Sequence, residues 1–282
     1  IFFIRHRLPP LKFADMIAPS LVLGLALGRV GCFLNGCCYG GMCEYPWAVT
    51  FPGNTQSNPP SPVYVDQASR GKFALHGIHF DSAPGAEAEI KSIDPNSAAA
   101  KSELRPGDFL LAVSITAPGS PRPLSFPPEQ LQQPGITPLS VVAAVDALTN
   151  IESGGTKVTF HVLDAAGNPA IRTWSLSADD VAPARSLPVH PTQLYSAIGA
   201  ALLTLFLWTW YPLRRHDGEV MALLISIYPI MRILEESIRT DEGIIGRTGM
   251  TISQNVSILL LAAAITLWIF ILRSPKLKHS VS

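Results

Sequence analysis

Charged side chains are scarce in this sequence, and neither sign is in excess. Only 15% of the 282 residues are Asp, Glu, Lys or Arg, whereas about 25% is usual in soluble proteins. The 21 basic and 21 acidic residues cancel, so the composition gives no support to nucleic-acid binding. Because 48% of the residues are hydrophobic and concentrate at both ends of the chain, we expect a membrane protein that carries a soluble insert.

Cysteine is absent outside one short segment. All four cysteines lie between Cys32 and Cys43, which argues against a disulfide framework that spans a domain. Four residues separate Cys32 from Cys37, and Cys38 follows directly, which is not the spacing of a zinc knuckle. We therefore expect these cysteines to fill space at a crowded helix end or to form an outer-face disulfide. We expect no metal site and no cofactor.

The sequence also lacks an initiator methionine and a signal peptide with a small-residue cleavage site. It begins inside an apolar run, Ile1 to Ile4, that two arginines follow at positions 5 and 7. This start is typical of the tail of a transmembrane helix. We expect the chain to be an N-terminally truncated piece of a longer protein.

Four apolar stretches approach the length of about 20 residues that a membrane-spanning helix needs. They are Phe13–Leu34, Leu194–Tyr211, Val220–Ile238 and Ile252–Leu272. Basic residues precede the first stretch (Arg5, Arg7, Lys12), follow the second (Arg214, Arg215) and follow the fourth (Arg273, Lys276, Lys278). Since basic loops stay in the cytoplasm, four crossings would place all three basic clusters there. The predicted fold is an α-helical polytopic membrane protein, with the segment 36–188 on the outer face.

The outer segment carries a soluble pattern between two irregular Pro-rich stretches, Phe51–Pro62 and Pro118–Pro138. Alternation and turn residues predict strands at 88–93, 109–115, 157–163 and 170–176 and helices at 97–103 and 139–150. The last two strands are predicted to form a hairpin around the turn at positions 165–168. The run from Ile93 to Ala100 and the later Leu104-Arg105-Pro106-Gly107-Asp108 resemble the PDZ domains of bacterial envelope proteins. The resemblance implies an inserted α+β PDZ-like domain at about 73–178. Its expected partner is an extended peptide bound by β-augmentation, and a structural spacer is the alternative.

Arg29 lies inside the first apolar stretch, between Gly28 and Gly31. A charge at bilayer depth is costly and usually functional, although an arginine near a helix end can also snorkel to the interface. The planar guanidinium suits phosphate because it forms bidentate contacts. We interpret Arg29 as facing a polar cavity and an anionic group.

The third apolar stretch contains a second set of polar residues. Tyr228, Arg232 and Glu236 recur every four residues, so they share one helix face, and Arg239 closes the run. Glu235 is expected to point elsewhere. The alternative is a self-neutralising salt bridge that eases membrane insertion. A third motif begins at His190, where the chain re-enters the membrane, and this histidine could be a base, a ligand or a polar helix start.

These three motifs together resemble the prolipoprotein diacylglyceryl transferase family of bacterial inner membranes. Its signature Gly-Arg-x-Gly-Asn-Phe-x-Asn-x-Glu-x-x-Gly is matched by Gly28, Arg29, Gly31, Phe33, Asn35 and Gly40. Its His-Pro-x-Gln-Leu-Tyr motif is matched by His190, Pro191, Gln193, Leu194 and Tyr195. Its later Tyr-x-x-x-Arg-x-x-x-Glu-x-x-Arg is matched by Tyr228, Arg232, Glu236 and Arg239. Cys32 and Cys37 depart from the signature, because they replace its first asparagine and its glutamate.

The resemblance implies transfer of a diacylglyceryl group from phosphatidylglycerol to the lipobox cysteine thiol in the signal-peptide region of a prolipoprotein. A thioether and glycerol phosphate would be the products. The implied catalytic residues are Arg29, Arg232, Glu236 and His190. The implied substrate-binding residues are Gly28, Gly31, Asn35, Gly40, Gln193, Tyr195, Tyr228 and Arg239. The base stays open between Glu236, His190 and a residue before Ile1, where the family's His-Gly-Gly segment should lie.

The implied organisation has three parts: a transmembrane part at 1–44, a periplasmic insert at 45–186 and three transmembrane helices at 187–282. The expected location is the bacterial inner membrane, where the protein would contact membrane lipid. Two other classes stay open. An intramembrane metalloprotease is disfavoured because none of the seven histidines lies in an H-E-x-x-H pattern. A non-catalytic or degenerate membrane anchor that presents a peptide-binding PDZ domain is the main alternative.

Overall fold

The structure, a computed structural model, describes residues 9–53, 60–83, 85–97, 99–116, 124–126, 137–151, 157–175, 182–239, 244–245 and 248–275. These residues belong to two compact units. The helical unit is drawn from Ile1–Val49 and Val189–Ser282, and the insert unit is Thr50–Pro188.

The regular elements of the described residues are numbered in chain order. The helices are α1 (Pro10–Asn35), α2 (Pro62–Ser69), α3 (Val141–Thr149), α4 (Thr192–Trp210), α5 (Glu219–Glu236) and α6 (Ile252–Arg273), with 3₁₀ turns at Ala99–Lys101 and Tyr211–Leu213. The strands are β1 (Ile78–His79), β2 (Ser92–Ile93), β3 (Phe109–Thr116), β4 (Leu124–Phe126), β5 (Lys157–Leu163), β6 (Pro169–Ser175), β7 (Ile244–Ile245) and β8 (Met250–Thr251).

Three helical segments of the described chain are long and apolar enough to cross a membrane. They are Pro10–Asn35, Thr192–Leu213 and Ile252–Arg273, and they lie at the first, second and fourth predicted spans. Helix α5 forms at the third predicted span but carries four charged residues in its 18 positions, so it does not meet the same criterion. A polytopic helical membrane protein therefore agrees with the structure, and a fourth crossing does not follow from it.

Small residues let the helices of the helical unit approach one another closely. Ala18, Val22 and Ala26 recur every four residues on α1 and are buried against a cluster that includes Ala200 and Leu203 of α4. The outward faces are apolar as well: Leu27 of α1 is 65% exposed and Leu259 of α6 is 71% exposed. An apolar surface of this kind is stable in lipid, where close packing of small residues holds the helices together.

At one end of the helical bundle, the fully buried Asp15 of α1 caps helix α5. Its carboxylate accepts hydrogen bonds from the backbone N–H groups of Gly218 (2.8 Å) and Met221 (3.0 Å), and it lies 3.4 Å from the Arg214 guanidinium. The negative charge stabilises the N-terminus of α5, where backbone N–H groups have no helical partner. A Cβ built on Gly218 would also lie near Leu11 and Ile271. Segments beside all three basic clusters therefore meet at this end, although Arg5, Arg7, Lys276 and Lys278 lie outside the described residues.

The insert unit is built on an antiparallel sheet with the strand order β4-β3-β5-β6. Strands β5 and β6 pair over their full lengths, as the predicted hairpin requires. At its tip, the Asp164 carboxylate accepts hydrogen bonds from the backbone N–H groups of Ala166 and Asn168. These short side-chain bonds, together with the left-handed Gly167 (φ 80°), close the turn.

Two predictions within the insert were wrong in extent, and one helix was not predicted. Only Ser92–Ile93 of the strand predicted at 88–93 is a strand, although Glu87 and Glu89 form isolated bridges. The helix predicted at 97–103 is a 3₁₀ turn at Ala99–Lys101. Helix α2 was not predicted; its first residue, Pro62, is the last residue of the stretch that was interpreted as irregular. Most of the second Pro-rich stretch lies outside the described residues, apart from β4 and positions 137–138.

The core of the insert unit joins its sheet to helices α2 and α3. Phe160 and Val158 of β5 are fully buried, and Leu148 of α3 packs in the same cluster. Tyr64 and Ala68 of α2 belong to this cluster too. The folded core therefore begins before position 73, the predicted start of the PDZ-like domain.

The Pro106-Gly107-Asp108 turn has a clear local cause. Gly107 has a φ of 89°, which favours glycine. The Asp108 side chain is 2% exposed and accepts a hydrogen bond from the backbone N–H of Arg105 at 3.0 Å. This turn starts strand β3.

Candidate active site

At the other end of the helical bundle, a chain reversal brings the first and second sequence motifs together with the end of α5. Helix α1 ends at Asn35, and the left-handed Gly36 (φ 70°) donates its N–H to Cys32 and Phe33 carbonyls. The chain then runs back, so that the Gly40 N–H donates to the His190 carbonyl at 2.9 Å. Gly40 also forms a β-bridge with Arg239. Parts of all three motifs therefore meet through backbone hydrogen bonds.

Gly40 has no room for a side chain. A Cβ built at this position would lie 2.7 Å from His190 Cβ and 2.8 Å from Thr192 Cγ2, closer than real side-chain contacts. The residue is buried, and its role is to permit close approach of the two motif segments. The sequence-predicted substrate-binding role of Gly40 remains a prediction.

Two polar residues at the start of α4 hold the reversed segment in place. Thr192 Oγ1 donates to the Cys38 carbonyl at 2.8 Å, and Gln193 Nε2 donates to the Cys37 carbonyl at 2.6 Å. Gln193 is 1% exposed, and its Oε1 accepts no hydrogen bond from the described residues. The sequence analysis did not identify Thr192 as a site residue, although a hydroxyl group in the first turn of an apolar helix could have indicated one.

His190 and Tyr195 form a pair across the first turn of α4. The His190 Nδ1 and the Tyr195 hydroxyl are 3.3 Å apart, and both residues are half-buried. The His190 ring also lies 6.1 Å from the Tyr45 ring, centroid to centroid. The hydrogen bond orients the imidazole, a ring that serves as general acid or base in many enzymes.

Arg232 is the centre of a polar network that links three helices. Its Nη2 lies 3.2 Å from Glu236 Oε2 and donates to Ser253 Oγ of α6 at 2.8 Å. Its Nη1 lies 3.9 Å from Glu235 Oε2, and Ser196 of α4 donates a hydrogen bond to the same carboxylate. The Arg232 side chain is 11% exposed and that of Glu236 is 2% exposed, so the network is largely shielded from solvent.

The expectation that Glu235 points away from this network was wrong. Residues three apart on a helix are neighbours, as are residues four apart, so Arg232 reaches both glutamates. Ser196 and Ser253 were also missed, because nothing in the sequence indicates which helices pack against the Arg232 face. Tyr228 is half-buried one turn earlier on α5 and packs against the apolar cluster of the helical unit.

Arg29 stands apart from this network. It is half-buried on α1, and within the described part of the chain its side chain forms no hydrogen bond or ion pair. Gly28 and Gly31 are exposed, and a Cβ built on either would meet nothing within 4 Å. Asn35 is exposed at the last position of α1. The predicted substrate-binding residues of α1 thus line an open helix face.

All four cysteines are free thiols, so of the two alternatives, packing or a disulfide, the disulfide is not present. Cys43 is buried as a packing residue would be. The sulfur atoms of Cys32, Cys37 and Cys38 lie within 4.8 Å of one another. The sequence spacing did not predict this cluster, because the turn at Gly36 and Cys38 creates it.

Comparison with known proteins matches this chain to one family. The model of the family described as prolipoprotein diacylglyceryl transferase matches residues 1–81 and 158–270. A phosphatidylglycerol–prolipoprotein diacylglyceryl transferase of Rhodopirellula baltica is 28% identical over 94% of this chain and 52% of its own length. A protein with the same name from Paracidovorax citrulli is 47% identical over 26% of this chain and 26% of its own length. Another from Finegoldia magna is 32% identical over 38% of this chain and 40% of its own length. The chain spans about half the length, or less, of these curated relatives. No solved structure shows a significant match.

Proposed function

The chain belongs to the prolipoprotein diacylglyceryl transferase family, and from this premise we propose that it transfers a diacylglyceryl group from phosphatidylglycerol to the lipobox cysteine of prolipoproteins. The reaction forms a carbon–sulfur bond and releases glycerol phosphate. The observation that supports this proposal most directly is the set of contacts made by Gly40 of the first motif. Its N–H donates a hydrogen bond to the carbonyl of His190 in the second motif, and it forms a β-bridge with Arg239 of the third. Residues far apart in the sequence are thereby held at one end of the helical bundle.

The phosphate of the lipid is assigned to Arg29. A leaving phosphate needs cationic donors where its charge develops, and the Arg29 guanidinium has no acidic partner among the described residues. The open face at Gly28 and Gly31 leaves space for a lipid beside it. A lipid substrate reaches such a face laterally from the bilayer.

The Arg232 network supplies a second cation and a proton acceptor. Glu235 and Glu236 both lie within 4 Å of the guanidinium. We assign to one of these two carboxylates the role of taking the thiol proton, since the thiolate is the nucleophile. His190, oriented by Tyr195, is the other candidate for this role. Gln193 Oε1, which is buried and accepts no hydrogen bond from the described residues, suits a donor group of the substrate.

The membrane arrangement is part of the proposal. We assign four crossings, with α5 as the third, in the bacterial inner membrane. The end with Asp15 and Arg214 faces the cytoplasm because basic segments meet there, and the insert unit then lies in the periplasm. Reporter fusions after Arg215 and Lys278 should be cytoplasmic, and a fusion between positions 130 and 139 should be periplasmic. A cytoplasmic signal from the last fusion would contradict the scheme.

For the insert unit we propose a PDZ-like peptide-binding role. The supporting feature is the Pro106-Gly107-Asp108 turn, with the buried Asp108 carboxylate closing it. An extended peptide near the lipobox would be its ligand by strand addition. Removing the insert should then impair transfer to intact prolipoproteins more than transfer to short lipobox peptides. Equal activity on both substrates would favour the spacer alternative.

The activity is tested with the complete protein in lipid. Phosphatidylglycerol vesicles and a lipobox peptide are mixed with the protein, and the thioether product is measured by mass spectrometry. Arg29→Lys keeps the charge but loses the fork, so transfer should fall by about 10²–10³-fold, as for loss of one charge-stabilising donor. Arg273→Lys, at the opposite end of the bundle, is the matched control and should be neutral. If the wild-type protein makes no thioether, the membrane-anchor alternative is favoured.

A further inference from the structure

The thiols of Cys32, Cys37 and Cys38 form a cluster that the reaction described above leaves unused. Their sulfur atoms lie within 4.8 Å of one another. Zinc–thiolate bonds are about 2.3 Å long, so tetrahedral geometry places two ligand sulfurs about 3.8 Å apart. Side-chain movement of about 1 Å would therefore bring all three sulfurs onto one ion of this kind.

The backbone beside the cluster takes an uncommon conformation at Cys38. Cys38 has a φ of 58°, which is uncommon for a residue with a side chain and is often found at functional sites. Thr192 and Gln193 fix the carbonyls of Cys38 and Cys37. The cluster also lies at the C-terminus of α1, where the helix dipole favours a cation.

We propose that Cys32, Cys37 and Cys38 bind one thiophilic divalent cation, for which Zn²⁺ is the best match, and that the substrate thiol takes its fourth position. This proposal rests on the proposed function. Three protein ligands with one open position are typical of catalytic zinc, whereas a structural site closes the fourth position with another protein ligand. Cys43, the remaining cysteine, is not in the cluster.

The chemistry of the step balances without a redox partner. The lipobox thiol loses its proton to a nearby base or to water when it binds the cation, because a coordinating thiol is deprotonated. A sulfur electron pair then forms the bond to the glyceryl carbon. The bond from that carbon to the phosphate oxygen breaks, and the oxygen leaves with its electron pair as glycerol phosphate. The cation keeps its charge throughout.

The position of Arg29 agrees with this step. Arg29 and Cys32 are three residues apart on α1, so they are neighbours on one face, about 5–6 Å apart at Cβ. A phosphate held by Arg29 would thus lie beside a thiolate held at the cluster. Cys32 and Cys37 are also the two positions at which this chain departs from the family signature, so the departures place two metal ligands next to the phosphate site.

The test uses Co²⁺, a spectroscopic substitute for Zn²⁺, with the complete, reduced protein in phosphatidylglycerol nanodiscs. One Co²⁺ per chain should bind and give a thiolate-to-metal absorption band. Cys32→Ser, Cys37→Ser and Cys38→Ser should each weaken Co²⁺ binding at least tenfold, whereas Cys43→Ser, from the same segment, should not. A lipobox peptide should intensify the wild-type band as a fourth thiolate binds, and its Cys→Ser version should not. This wild-type measurement does not depend on whether any variant folds.

Several results would overturn the proposal. One is the absence of a thiolate band in the reduced protein, and another is a band that survives the three cluster variants. A Cys37–Cys38 or Cys32–Cys37 disulfide in protein isolated from cells would also exclude the site. Undiminished transfer by chelator-treated, metal-free protein would remove the cation from the reaction and leave the proposed function standing. A band that responds to the peptide without any thioether product would contradict the proposed function but support the site.

Discussion

The two units of this chain place their polar and apolar residues in opposite ways. The helical unit buries Asp15 and Glu236 and turns leucines such as Leu27 and Leu259 outward. The insert unit buries Phe160 and its apolar neighbours. In water, burial of apolar area drives folding, whereas in lipid the polar groups must find partners inside the protein. The two units are therefore stabilised by different interactions. Substitution of a buried apolar residue should matter most in the insert unit, and substitution of a buried polar residue should matter most in the helical unit.

The largest expected effect is on the stability of the insert unit. Phe160→Ala should destabilise it by about 3–5 kcal/mol, because a fully buried aromatic ring leaves a cavity. We expect the segment 50–188, which includes α2, to fold when expressed alone, and denaturant unfolding of this segment measures the change. Ile171→Ala on β6 is the control, since Ile171 is 60% exposed and should cost little. If both variants lose equal stability, the segment does not have the core described here.

The second effect concerns the buried charges of the helical unit. Arg232→Lys should reduce diacylglyceryl transfer by about 10²–10³-fold while the protein still inserts. Lysine has one terminal nitrogen, whereas the guanidinium contacts Glu236 and Ser253 through Nη2 and lies near Glu235 through Nη1. The measurement is transfer activity beside the level of membrane-inserted protein.

The control for Arg232 removes the whole charge network. Because Glu235 also contacts Arg232, the neutral variant is Arg232→Leu with Glu235→Gln and Glu236→Leu. It should insert well, since replacing a buried ion set with apolar groups is often tolerated, and it should be inactive. An active triple variant would leave only a structural role for the network and remove Arg232 from the mechanism.

The difference between the two units also explains which helices and strands could be predicted from the sequence. The apolar runs that became α1, α4 and α6 were recognisable because lipid requires long uninterrupted helices. The hairpin at 164–169 was recognisable because its turn residues act locally. Helix α2 was missed because its two turns carry no long periodic signal, and its stability comes from Tyr64 in the insert core.

Within the candidate site, the sequence motifs predicted which residues belong to it but not which of them contact one another. The pairing of Gly40 with His190 follows from tertiary packing and not from spacing. The direction of Glu235 depended on where α4 places Ser196. The three-thiol cluster depended on two residues with left-handed backbone, Gly36 and Cys38, on either side of Cys37. Each of these is the backbone conformation of a single residue, so it leaves no periodic pattern in the sequence from which it could be predicted.

The third effect tests the close approach of motifs in the helical unit. Gly40→Ala adds a methyl group that would lie 2.7 Å from His190 Cβ, so we expect a cost of about 1–3 kcal/mol from overpacking and at least a tenfold loss of transfer. Gly24→Ala is the control, because its Cβ would meet nothing within 4 Å. Equal activity of both variants would mean that the Gly40–His190 contact does not position the site.

The smallest expected effect concerns two carboxylates of the insert unit, whose contributions to its stability should depend on pH with opposite signs. Burial raises the pKa of Asp146 above its usual value of 3.8, and the Asn150 side chain only partly opposes this. A raised pKa means that the folded state binds the proton more tightly, so stability falls as pH rises from about 3.8 through the folded-state pKa. Asp146→Asn should therefore stabilise the segment 50–188 at pH 7, by on the order of 0.5 kcal/mol, and should change little near pH 3.

Asp164 is the matched opposite. The backbone N–H of Asn168 donates to its carboxylate and lowers its pKa, so its stabilising contribution is present above pH 3.8 and is lost as pH falls through the lower folded-state pKa. Asp164→Asn should destabilise the segment at pH 7. Denaturant midpoints of both variants and the wild type at pH 7 and pH 3 measure the two signs. If the two variants shift in the same direction at pH 7, burial and hydrogen bonding do not separate these carboxylates, and the turn at Asp164 does not stabilise the hairpin through its charge.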